Sequence, residues 1–399
     1  MAYIAKHSGD LAKCIDQAGG ISLLILCMKE PEMKLKVMSL VCLTEIIKHS
    51  DEFAHSFIDK GGMVTLKQMI ATPNTYVKKE ALSCLAQIAK FNIETATKIC
   101  DDENGLTFKN IVKCINDPDS LVQRNAAVLV SEIVKHGQQL HNVVTNTCGA
   151  GPFLEYAKRT KGYLRMPGLL IIKDLCTYED SLVKQVIEKD GVSLLKESLE
   201  NEETLYMKAC IALTIYEIAR KSPANAAILV KEGIPNILID CYKLFKSAGE
   251  ELQPAQEDLL LKTEKALEGI ISVTEDIEFL EVMLDNAPIE IHRFVYPQIA
   301  KLLAKSGPAR REFAMKGYLK KAIEKEAQAD DSYVQNFLKH ALIEIRNIYP
   351  LELTQIHGPG FIDNTISKWY NEEKQKEGGA PDKNTVSYTH LTLPTKRIV

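Results

Sequence analysis

From Leu35 to Ile70 the chain reads LKVMSLVCLTEIIKHSDEFAHSFIDKGGMVTLKQMI. Val37, Leu40, Val41, Leu43, Thr44 and Ile47 recur in steps that put an apolar stripe along one side of a helix. The run ends at Ile46-Ile47-Lys48-His49, and Ser50-Asp51 follow. Their side-chain oxygens can accept the free N–H groups of a new helix, so a short one is predicted from Asp51 to Lys60. Gly61-Gly62 stops it, because glycine reaches the left-handed conformation without strain. A second helix is predicted over Met63–Ile70, and Thr72-Pro73-Asn74 closes the unit with turn residues.

The pattern recurs. Signatures like Ile46-Ile47-Lys48-His49 begin at Ile4, Ile46, Ile88, Ile133, Leu175 and Ile218, each followed by a glycine about a dozen residues on. Self-similarity at a period near 40 marks a stacked-repeat protein. Units are predicted at about 8–49, 50–91, 92–136, 137–178, 179–221 and 222–275, each of three helices. Arg165-Met166-Pro167-Gly168 falls where a third helix should be under way, and proline predicts that this helix starts or kinks there. Lys246–Gln256 is polar and predicts a loop; the stretch 276–305 is short for three helices. The signature returns in Leu302–Gly317, and Pro350 can stop the last helix, so the array is predicted over 1–350. A post-repeat segment follows over 351–371, and 372–399 reads as a solvated, disordered tail. Within it, 386–399 resembles the translation of a sequencing adaptor. Residues 1–7 read as the end of a third helix, which implies further repeats upstream.

Three helices per unit with a glycine between the first two resembles the armadillo repeat; two-helix HEAT repeats are the alternative. The resemblance implies an all-α, right-handed superhelical solenoid whose third helices line the concave face.

Composition narrows the chemistry. A net charge of −4 offers no global field for nucleic acid or an anionic membrane. No apolar run approaches the roughly 20 residues that span a bilayer. The ten cysteines form no CxxC pair, and most fall inside apolar helical runs, as a reduced intracellular protein would have them. No GxSxG, HExxH, P-loop or GxGxxG stands in the chain, and Gly149-Ala150-Gly151-Pro152 sits at an inter-helix glycine position. No enzyme activity, cofactor, metal or small-molecule substrate is expected. His7, His49 and His136 share one place in three repeats, but stacked repeats stand too far apart to share a metal, whose nitrogen ligands sit at about 2 Å. Attraction to a helix C-terminus explains them better.

Nuclear-import armadillo proteins clamp basic peptides with a Trp/Asn ladder on their third helices. Here the Asn place carries Glu45, Gln87, Glu132, Asp174 and Glu217, and the Trp place carries Val41, Ser83, Val128, Leu170 and Leu213. Trp369, the only tryptophan, lies outside the repeats, so an import receptor is not expected. The acidic row has two readings. Glu45–Lys48, Glu132–Lys135 and Glu217–Arg220 are i,i+3 pairs that support a helix by about 0.2–0.5 kcal/mol each. Alternatively they form the acidic edge of a groove that meets basic residues of a partner. Three turns earlier on the same face stand Tyr76, Tyr163 and Tyr206, residues suited to anchoring an interface.

Lys161–Leu169 (KGYLRMPGL), Leu284-Asp285-Asn286-Ala287-Pro288, 305–321 and Tyr349-Pro350 with Gly358-Pro359-Gly360-Phe361 sharpen the resemblance. Across about 1–370 the chain resembles the sperm-associated antigen 6 family, armadillo proteins of the ciliary central apparatus. The resemblance implies a structural protein of the axoneme, needed for assembly and motility of cilia and flagella, whose partners are central-apparatus and microtubule-associated proteins. A cytosolic armadillo adaptor for ubiquitin ligation or trafficking would share the fold.

Overall fold

The computed structural model describes residues 1–101, 105–246 and 252–306, together with Ala309, Phe313 and 316–318. The chain divides into two compact units, Met1–Glu275 and the residues from Asp276 on.

In the first unit a short helix α1 (Ala2–His7) precedes six repeats. The first repeat is α2 (Gly9–Gln17), α3 (Gly20–Lys29) and α4 (Met33–Ile47); the second is α5 (Asp51–Asp59), α6 (Gly62–Ile70) and α7 (Thr75–Ala89). The third is α8 (Ile93–Cys100), α9 (Leu106–Cys114) and α10 (Ser120–Val134). The fourth has α11 (Gln138–Thr147), α12 (Gly151–Arg159), a single 3₁₀ turn at Gly162–Leu164, and α13 (Met166–Tyr178). The fifth is α14 (Asp180–Glu188), α15 (Gly191–Asn201) and α16 (Leu205–Ala219); the sixth is α17 (Pro223–Lys231), α18 (Ile234–Lys246) and α19 (Pro254–Val273). Third helices pack on one another in chain order, from α1 on α4 through to α16 on α19.

The signature is legible in this packing. Its first two residues are buried in the first five repeats: Ile46 and Ile47, Ile88 and Ala89, Ile133 and Val134, Leu175 and Cys176, Ile218 and Ala219. Burying each large apolar side chain contributes about 1.5–3 kcal/mol. Its fourth residue ties repeats together. The His49 ring Nε2 lies 2.7 Å from the Ala5 carbonyl, and His136 Nε2 lies 2.6 Å from that of Ala89. In the fifth repeat Arg220, the third residue of its signature, does the same work from Nη2 to the Thr177 carbonyl at 3.2 Å. The attraction to a helix C-terminus is real, but the terminus belongs to the preceding repeat rather than to the histidine's own helix.

The paired glycines do two different jobs. Gly61 takes a φ of +76°, the left-handed turn between α5 and α6. Gly62 is there for space, since a Cβ on it would meet the Phe57 ring at 2.3 Å. In the fifth repeat only the second glycine remains: Gly191 is crowded by Val186, while the left-handed residue is Asp190, at φ 62°. Asp tolerates that region better than most side chains.

Two disturbances read from the sequence resolve differently. The third helix of the fourth repeat starts at Met166, with Pro167 in its first turn. The loop predicted over Lys246–Gln256 is shorter than expected: Pro254, Ala255 and Gln256 are helical, because proline suits a first turn and the Gln256 side chain accepts the Gln253 N–H at 2.8 Å. Residues 247–251 lie outside the described residues.

Among its described residues the second unit has α20 (Ile277–Asn286), a 3₁₀ turn at Ile289–Ile291 and α21 (His292–Leu303). Lys316 Nζ meets the buried Glu281 carboxylate at 2.8 Å. The readings of 319–399, including the end of the array at Pro350, the post-repeat segment, Trp369 and the tail, lie outside the described residues.

Candidate functional site

Each third helix presents a row of residues at one, five, eight and twelve positions before its signature, spaced to share a helical face. The nearest position carries Glu45, Gln87, Glu132, Asp174 and Glu217, all half-buried. Glu45 is ion-paired with Lys48 and Glu132 with Lys135. Glu217 meets Arg220 at 2.5 Å, and Asp174 meets Lys173 at 2.9 Å. Burial pushes the Asp174 carboxyl above the usual carboxylate range, with Lys173 opposing. The helix-supporting reading of this row is therefore realised, and each of these four acids already holds a cation of its own helix.

The middle of the face is apolar or small, with Ser83, Val128, Leu170 and Leu213 half-buried. Asn125 is not free for a partner: its Nδ2 donates to the Lys79 carbonyl at 3.0 Å, tying α10 to α7.

The far edge is aromatic and open. Tyr76 is 69% exposed, Leu121 44%, Tyr163 66% and Tyr206 50%, one large apolar residue from each of four successive repeats. Tyr163 needs a correction. Counting helical turns places it on the third helix with Tyr76 and Tyr206, but it stands on the 3₁₀ turn before α13. The reason is the buried Arg165, only 2% exposed. Its Nε donates to the Thr160 carbonyl at 2.7 Å and its Nη1 to Ser198 Oγ at 2.9 Å, with Glu202 and Glu197 at 3.3 and 3.5 Å. Tyr156 Oη donates to the Leu164 carbonyl, and a Cβ on Gly168 would meet Ala157 and Tyr156 at 3.0 Å. These contacts hold the turn against α12 and α15 and delay the helix to Met166.

Counting along the helix also missed two cations on this edge. Lys79 Nζ lies 5.7 Å from the Tyr76 ring centroid, and the Arg124 guanidinium carbon lies 5.6 Å from that of Tyr163. Both occupy the ninth position before a signature, so a row count at nine would have found them.

Other chemistry is sparse. Burial pushes the thiols of Cys84, Cys176 and Cys210 up to about 12, far from a nucleophile's range. Among the described residues no group of three His, Cys, Asp or Glu could hold a metal, and no single helix is long and apolar enough to cross a membrane. A shallow depression of about 510 Å³ lies along α5, lined by Asp51, His55 and Lys60, outside the third-helix face.

Comparison with known proteins places this architecture. A designed armadillo repeat protein aligns over 63% of this chain and 99% of its own, with a TM-score of 0.55 and 17% identity. An engineered protein aligns over 94% of this chain and 91% of its own, with a TM-score of 0.69 and 20% identity. The fold is an all-α armadillo-repeat solenoid. In sequence the chain is similar to sperm-associated antigen 6 of Mus musculus, 32% identical over 171 residues. The aligned stretch covers 43% of this chain and 31% of the mouse protein. Residues 58–149 also match the family model of non-SMC mitotic condensation complex subunit 1, over part of the second to fourth repeats.

Proposed function

We propose that the chain is a non-catalytic, protein-binding scaffold of the axonemal central pair, needed for assembly and beating of cilia and flagella. The similarity to sperm-associated antigen 6 carries the reading. The third-helix face supplies the means: an apolar centre, a row of paired carboxylates on Glu45, Glu132, Asp174 and Glu217, and an exposed aromatic edge at Tyr76, Tyr163 and Tyr206. Partners are other proteins of the axoneme, and Gln87 continues the polar row in the second repeat.

Energetics rank the two edges. Exposed ion pairs contribute about 0–1 kcal/mol, whereas an aromatic anchor buried by a partner contributes about 2 kcal/mol or more. The tagged full-length protein, expressed in a flagellated cell, should fractionate with detergent-extracted axonemes, and its loss should impair beating. On the face itself, Tyr163→Ala with Tyr206→Ala should weaken capture of axonemal partners more than Glu132→Gln with Glu217→Gln, both variants remaining folded. Diffuse staining with normal motility after knockout would replace this reading with a cytosolic adaptor.

A further inference from the structure

The stretch Lys161–Leu169 shapes a feature that a general protein-binding face does not require. With Arg165 turned inward, α13 has 13 residues where α4, α7, α10 and α16 have 15. The two missing residues give way to the 3₁₀ segment, which carries the exposed Tyr163 beside Arg124 of α10. Gly162, at φ +55°, allows the reversal that presents this tyrosine.

Arg124 differs from the other arginines of the first unit. Arg165 and Arg220 hold carboxylates, and Arg159 donates to the Asn116 side chain and the Ile115 carbonyl. The Arg124 guanidinium carbon lies over the Tyr163 ring, and its buried Nε has no hydrogen-bond partner. A guanidinium offers planar, paired donors that match a carboxylate two at a time, and an aromatic ring beneath it limits how it can turn. The acids of the same face are already neutralised by Lys48, Lys135, Lys173 and Arg220. Among the described residues, the charge on this face without a counter-charge is thus positive.

We propose that the surface between α10 and the Gly162–Leu164 turn receives a carboxylate side chain of a partner's acidic segment, with Arg124 as its ion-pair donor and Tyr163 beside it. This rests on the reading that partners engage the third-helix face, and it reverses the sign of partner charge that the row of acids suggests. It also explains why the Lys161–Leu169 break is built with a buried arginine, a positive-φ Gly162 and a Gly168 packed close against α12: they place one ring beside one guanidinium.

The test is fluorescence anisotropy on the full chain with two labelled peptides, octaglutamate and (Lys-Arg)4, at low and at physiological salt. The protein's net charge of −4 gives octaglutamate no general attraction, so binding reports a local site. Octaglutamate should bind, and Arg124→Gln should weaken it about tenfold, the factor that 1.4 kcal/mol represents. Arg124→Lys should restore only part of the loss, and Tyr163→Ala, at an exposed position that does not threaten folding, should also weaken binding. Lys98→Gln, which removes the same charge from α8, should leave it unchanged. Failure of octaglutamate to bind, or equal binding by wild type and Arg124→Gln, overturns the inference. If (Lys-Arg)4 binds instead and is weakened by Glu132→Gln with Glu217→Gln, the face remains the interface and only the acidic partner is lost. If neither peptide responds to any substitution on the face, the reading of the face falls as well.

Discussion

The second repeat and the fourth are built on the same plan by different means. In the second, α7 starts where Asn74 Oδ1 accepts the Val77 N–H at 3.1 Å, a contact between residues three apart. In the fourth, α13 starts with no side-chain cap, and its position is held by Arg165 reaching Ser198 and Glu202 on and beside α15. One start is local and solvated; the other depends on a buried charge whose partners belong to the next repeat. Between them α5 carries the buried Ala54, and α11 carries the buried His141 four residues after the equivalent cap position. A regular repeat is therefore assembled from short-range signals, and an irregular one has to be held by its neighbours.

Three substitutions test that contrast. Arg165→Leu should have the largest effect, destabilising the protein by about 3–5 kcal/mol in urea or thermal unfolding, since it strands a mostly buried Glu202 and the buried Ser198. A loss below about 1 kcal/mol would mean that Pro167 alone sets the start of α13. Gly62→Ala comes next, at about 1–3 kcal/mol, because the buried Phe57 ring 2.3 Å from the new Cβ has to move. Gly168→Ala should cost less than Gly62→Ala, as its nearest contacts stand at 3.0 Å. The reverse order would show that the fourth repeat is the more tightly packed of the two.

The smallest effect concerns pH. His141 is buried, with Nε2 2.6 Å from the Val134 carbonyl, its ring edge-on to Tyr178, and no partner for Nδ1. Burial lowers its pKa below the ordinary value of about 6.5, with the Val134 carbonyl, Asp174 and Glu179 opposing. The unfolded chain then binds this proton more readily than the folded one. Stability from the site is full above pH 6.5 and falls as pH drops from there toward the folded pKa. His141→Gln should flatten that fall, read as the difference in urea midpoint between pH 7.5 and 5.5 for each protein. An unchanged pH dependence would show that the ring is charged or solvated in the folded state.

Much of the candidate face was accessible from spacing. The rows of Glu45, Glu132 and Glu217, and of Tyr76 and Tyr206, follow from a helical period counted back from each signature. Counting by helical period alone puts Tyr163 in the wrong element, because a count of turns does not register the helix start that Pro167 marks after Arg165. The sign of the unpaired charge was not accessible. Whether Glu132 is neutralised by Lys135 can be read three residues away, but whether Arg124 finds a carboxylate depends on what the next repeat brings up to it.

The sequence by itself determined the repeat, its three helices, their caps and the proline that restarts α13, because these follow from hydrogen bonds and dihedral preferences within a few residues. Tertiary structure alone decided that His49 and His136 bond the carbonyls of Ala5 and Ala89, that Arg165 is buried among partners 32 to 37 residues away, and that Arg124 faces Tyr163. Those outcomes depend on which side chains two stacked repeats bring within about 3 Å, the range over which a hydrogen bond forms, and no local periodicity carries that distance.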